Sequence, residues 1–141
     1  MTDWQERLSA AKGSDRRQLV QEYMDDFKLV YVYHGDPIKD VRSWNSLHST
    51  EVMQVHGIAR GIEGYAILNI ADDEDLEETV IELSENTWMP QVWAGGRFVA
   101  CWRGWCELHN SGEIVQILES VGLASKLKGC YYDGKTPLVL H

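Results

Sequence analysis

Residues 88–113 read WMPQVWAGGRFVACWRGWCELHNSGE. A proline opens the apolar run Gln91–Ala94, Gly95-Gly96 interrupt it, and a second apolar run covers Arg97–Ala100. Two adjacent glycines between such runs favour a two-residue hairpin turn, whose central positions need positive φ. A helix is expected next, from about Gly104 to Ser120, with Gly122 ending it. The unit is therefore a hairpin entered through a proline and left through a helix.

Upstream, Asp15 is expected to cap a helix whose Leu19, Val20, Tyr23, Met24 and Phe27 recur at helical spacing. The stretch KLVYVY (28–33) is β-branched and aromatic, as a central buried strand would be. HGDP (34–37) supplies turn chemistry, and 43–56 suits a helix ended by Gly57. GYAILNI (64–70) is a second strand, and 72–85 a helix with its acids massed at the favourable N-terminal end. Before all of these, Thr2 and Gln5 form a capping-box pattern for a short helix through Ala11. The last residues hold an Asp133-Gly134 turn signal, consistent with a short hairpin or an extended arm.

Two strands joined through a helix should be parallel with a right-handed crossover, and the hairpin strands antiparallel. The expected fold class is α/β, a three-layer α/β/α sandwich around a four-stranded mixed sheet. The main domain is expected over 14–120, with a helical extension at 1–13 and a C-terminal tail at 121–141.

Composition narrows the function classes. The 141 residues carry a net charge of −9, which repels phosphate backbones and anionic membranes, so nucleic acid is not an expected partner. No apolar run approaches the roughly 20 residues of a membrane span. The first residues, MTDWQERLSA, show neither a secretory core nor an Arg-rich transit pattern, so a cytoplasmic location is expected. Three cysteines, Cys101, Cys106 and Cys130, imply no disulfide framework. His34, His48, His56, His109 and His141 form no i, i+4 pair, so no metal site is expected.

The element order, with MPQVWAGGRFV and ELHNSGEI, resembles the glutaredoxin branch of the thioredoxin fold across roughly residues 15–120. The resemblance implies that Pro90 is cis and turns the backbone of Met89 toward a ligand. It also implies a reactive thiolate at the start of the helix after the first strand, where helix-end amides lower a thiol pKa. That position falls at Arg42: the family's Cys-x-x-Cys or Cys-Gly-Phe-Ser is replaced by RSWN (42–45), and no cysteine precedes Cys101. His34 stands where the family has lysine. Ala100-Cys101 replace a Gly-Gly pair that lets glutathione approach the backbone, and Trp102-Arg103-Gly104 follow. His109 matches a family position that looks structural.

The expected function is a catalytically inactive glutaredoxin-like module that binds protein as a scaffold subunit of a larger assembly. Its contact residues are expected to be Trp44, Trp88, Trp102 and Arg42, with Trp105 one turn along, since tryptophan and arginine dominate binding hot spots, the alternative being that these rings only plug the vacated groove as core. No catalytic residue and no cofactor are then required. Two alternatives remain. Cys101, beside a helix start, could act as the nucleophile of an atypical glutathione-dependent oxidoreductase, or glutathione could bind without turnover through Met89, Pro90 and Arg103. Cys106 is expected in the core.

Overall fold

The computed structural model describes residues 4–11, 14–34, 51–71 and 73–128. Its elements are α1 (Trp4–Ala10), α2 (Ser14–Asp26), β1 (Leu29–Tyr33), a helical stretch at 51–55, β2 (Tyr65–Asn69), α3 (Glu74–Ser84), β3 (Gln91–Ala94), β4 (Arg97–Cys101), α4 (Trp102–Ser111) and α5 (Ile114–Ser120). The sheet order is β2-β1-β3-β4, with β1 and β2 parallel and β3 antiparallel to both β1 and β4. This is the expected four-stranded mixed sheet of the thioredoxin-like α/β fold.

The alternation of strand side chains builds the three layers. All five residues of β1 are buried. Leu29, Tyr31 and Tyr33 enter one core with Met53, Trp105, Ile114 and Leu118. Val30 and Val32 enter the other with Leu8, Val20, Met24, Leu76 and Val80. The helical stretch 51–55, α4 and α5 therefore cover one face, and α1, α2 and α3 cover the opposite one.

The hairpin turn forms as its glycines demand, with φ of 57° at Gly95 and 81° at Gly96. It is also held against α2, whose Gln21 Nε2 donates to the Gly96 carbonyl at 2.7 Å. Arg16, buried on α2, ties three elements: its Nε donates to the Ala11 carbonyl (2.9 Å) and its Nη1 meets Asp73 Oδ1 (3.1 Å). That same carboxylate oxygen accepts from Leu76 N–H, capping α3. On the outer edge of the sheet, the Tyr23 hydroxyl donates to the Ile67 carbonyl at 3.2 Å. Burial pushes that hydroxyl's pKa up to about 12, against a smaller opposing pull from Arg60.

Several boundaries differ from expectation. The single helix expected over 104–120 is two, because Gly112 adopts φ 83° and caps α4 with its N–H on the His109 carbonyl. Ser111 Oγ then accepts from Glu113 N–H and turns the chain into α5. Helix α4 begins two residues early, at Trp102, with Cys101 extended before it. Helix α2 already includes Ser14, so Asp15 lies in its first turn, where its charge meets the helix dipole, and is not the cap. Beyond Ser120, Leu123 and Ser125 are both buried. The Thr2 cap, most of the helix expected over 43–56 and the Asp133-Gly134 turn lie outside the described residues.

Candidate functional site

Register fixes which residues meet at one end of the sheet. Val32 pairs with Gln91, and Gln91 pairs with Cys101. The C-terminal ends of β1 and β4 and the N-terminal end of β3 therefore lie together, bringing Tyr33-His34, Met89-Pro90 and Cys101-Trp102 to one edge. The Met89–Pro90 bond is cis, as the resemblance implied. Trp102 N–H donates to the Pro90 carbonyl at 2.9 Å and joins the start of α4 to this proline.

The connection leading into Pro90 is built around Gln91, which is 0% exposed. Its Nε2 donates to Ser84 Oγ (3.0 Å) and to the Asn86 carbonyl (2.8 Å), and its Oε1 accepts from Trp93 Nε1 (3.0 Å). The Gln91 side-chain amide thus ties the loop after α3 to β3. Asn86 Oδ1 also accepts from Trp88 N–H at 2.8 Å. Sequence reasoning missed Gln91; the Pro-Gln pair at a strand start was the available signal.

On this loop Trp88 projects into solvent, 69% exposed. Burying an indole is strongly favourable, yet this ring stays in solvent on a hydrogen-bonded backbone. Trp102 is half-buried and Arg103 exposed, with the Arg103 guanidinium 5.9 Å from the Trp102 ring centroid, at the outer limit of a cation–π contact. Met89 is partly buried against the α1–α3 side of the core. Trp105 does not join the surface group; it is fully buried with Tyr31 and Leu118. Arg42 and Trp44 lie outside the described residues.

The thiols have different settings. Cys101 is half-buried at the N-cap of α4. Cys106 packs against the core, where burial pushes its thiol pKa up, with Cys101 and then Glu107 adding to the shift. A raised pKa keeps Cys106 protonated and a poor nucleophile. Both are free, and Cys130 lies outside the described residues. His34, at the family's lysine position, directs Nε2 to Glu77 Oε1 at 3.2 Å. Among the described residues no three His, Cys, Asp or Glu side chains gather as a metal site.

One cluster was invisible in the sequence. His56 Nδ1 lies 2.5 Å from Ser125 Oγ, and its Nε2 lies 2.9 Å from His109 Nδ1. The expectation that His109 is structural thus gains a partner 53 positions away.

The mixed sheet, the cis proline and the helix start bonded to it make a thioredoxin-like fold, and its relatives and solved neighbours mark the chain as glutaredoxin-like. Within that class the chain is similar to glutaredoxin-related protein 5, mitochondrial, of Danio rerio, 26% identical over 108 residues, covering 77% of this chain and 66% of that protein. It is also similar to monothiol glutaredoxin-5, mitochondrial, of Schizosaccharomyces pombe, 23% identical over 109 residues, 77% of this chain and 73% of that protein. The match to the Danio rerio protein thus leaves about a third of that relative unspanned. No family model matches the sequence.

Solved structures share the fold. The mature form of Trypanosoma brucei 1CGrx1 superposes with a TM-score of 0.66 at 16% identity, covering 86% of this chain and 78% of that one. Buckwheat glutaredoxin in complex with glutathione gives 0.62 at 16% identity, with 85% and 97% covered.

The expected cytoplasmic location is overturned, since both of these relatives are mitochondrial. The composition of a chain's first residues is a weak guide to its compartment.

Proposed function

We propose that this chain is a glutaredoxin-like module without thiol–disulfide turnover, acting in mitochondria as a protein-binding subunit. One observation carries the reading: no cysteine precedes Cys101, so the connection after β1 contains no thiol to serve as the family's nucleophile. Where exchange chemistry is lost, the scaffold keeps a hydrogen-bonded loop that offers Trp88 to solvent near Trp102 and Arg103. Large indoles flanked by guanidinium groups are the composition of a binding hot spot. Arg42 and Trp44 are proposed to extend that surface. Mitochondrial capture with the wild-type chain and with Trp88→Ala tests the surface. A partner retained by the first and lost by the second, with both chains equally folded, is expected. Equal retention would remove Trp88 from the interface.

A second reading is favoured by the register of Cys101, which pairs with Gln91 directly beside the cis proline. In it, a Cys101 thiolate attacks glutathione disulfide, forms a protein–glutathione mixed disulfide and releases one glutathione thiolate. Met89, Pro90 and Arg103 would hold the tripeptide, with glutathione as co-substrate. The similarity to monothiol glutaredoxins is compatible with this chemistry.

A further inference from the structure

His56 follows the helical stretch 51–55, His109 lies in the last turn of α4, and Ser125 belongs to the segment after α5. The two rings stand at 89° with centroids 5.0 Å apart. His56 is 0% and Ser125 8% exposed. Residues 121–128 are held on this spot by further contacts. Lys126 N–H donates to the His56 carbonyl (3.0 Å), and Leu127 N–H donates to Ser125 Oγ (3.0 Å). The Lys126 stem lies over Gly57, where an added Cβ would come within 2.7 Å of its Cγ.

The contact between the rings needs one nitrogen to accept while the other donates. A single added proton leaves a charge in a buried place; protons on both rings set two N–H groups against each other and remove the bond. We propose that the Ser125–His56–His109 chain is an acid-operated latch that holds residues 121–128 on the domain at neutral pH and releases them on proton uptake. Residues 122–124 also form one wall of an open cleft of about 620 Å³, whose other walls are Lys28 and residues 57–64, so release dismantles that cleft.

The electrostatics agree with the geometry. Burial lowers the His56 pKa from 6.5 to about 4, and His109 adds to the shift. Burial lowers His109 as well. The ionisable side chains on the surrounding elements are Glu51 on the helical stretch 51–55, Arg103, Cys106 and Glu107 on α4, Glu119 on α5, and Lys126 and Lys128 on the segment. Lys128 is engaged with Glu119 at 2.6 Å. The adjoining strands contribute the hydroxyls of Tyr31, Tyr33 and Tyr65. Of these neighbours, His109 supplies the charge that acts on His56. A released imidazole titrates near its ordinary value, so the open state binds more protons than the closed one below pH 6.5. Opening therefore becomes easier as pH falls from 6.5 toward 4.

Amide hydrogen exchange on the full chain, corrected for intrinsic rates, tests the latch. Protection of the Leu123, Lys126 and Leu127 amides is expected to fall by about tenfold or more per pH unit below 6.5. The β1 amides of Val30 and Val32 should keep theirs over the first unit. His109→Gln, which retains a polar partner for His56 but removes one titrating ring, should flatten the dependence. Protection of the three amides that ignores pH, or is lost only in step with β1, would overturn the proposal. So would wild-type steepness in His109→Gln.

Discussion

Trp105→Ala is expected to lower the unfolding free energy by about 3–5 kcal/mol, as removal of a buried large aromatic does. Trp105 is among the largest fully buried side chains and packs in the core with Tyr31, Ile114 and Leu118. A domain of this size holds roughly 5–15 kcal/mol in total, so the variant sits near the edge of folding at physiological temperature. Trp105→Phe should cost less than half as much. Among the described residues the indole Nε1 finds no hydrogen-bond acceptor, and a buried donor in that state is destabilising by about 1–3 kcal/mol. Phenylalanine keeps most of the apolar ring and removes that donor. Urea unfolding of the two variants separates the effects. A phenylalanine as costly as alanine would mean that the N–H is satisfied in solution.

The second large effect is expected at Asp73. Its carboxylate faces the buried Arg16 guanidinium at 3.1 Å and caps α3 through Leu76 N–H. Removing one partner of a buried ion pair costs about 3–5 kcal/mol, and loss of a side-chain N-cap about 1 kcal/mol more. Asp73 keeps 23% of its side chain in contact with solvent, which softens the first figure, so Asp73→Ala is expected to cost about 3 kcal/mol in all. Asp73→Asn retains a good capping oxygen and loses the charge, and should fall between wild type and alanine. Urea midpoints order the three proteins. Asparagine matching alanine would assign the whole effect to the charge, and asparagine matching wild type would assign it to the cap.

The fold was legible wherever one residue type imposes its own geometry. Pro90 before an apolar run, and Gly95-Gly96 between two, fixed the hairpin, because few backbones satisfy those residues at once. The uninterrupted Leu29–Tyr33 run marked the central strand, since a short β-branched and aromatic run with no polar alternation suits a strand buried on both faces. The break at Gly112 was harder to read. A glycine among strong helix formers is compatible with a continuous helix, and the backbone bond to His109 that decides otherwise is a three-dimensional fact. Arg16–Asp73 and His56–His109 are 57 and 53 positions apart, beyond any local pattern. At the candidate site, sequence placed Pro90, Trp88 and Trp102 together but grouped Trp105 with them. Helical spacing says that Trp105 lies a turn along from Cys101, and does not say that its ring turns into the core.

Turnover with glutathione decides between a binding module and a working reductase. The folded chain is incubated with glutathione and a glutathione mixed-disulfide substrate, its rate of exchange is followed, and its intact mass is read at the end. No exchange above the uncatalysed rate is expected, and Cys101→Ser should be indistinguishable from wild type. Sustained turnover that disappears in Cys101→Ser would show that a thiol elsewhere on the scaffold has taken over the missing nucleophile's work.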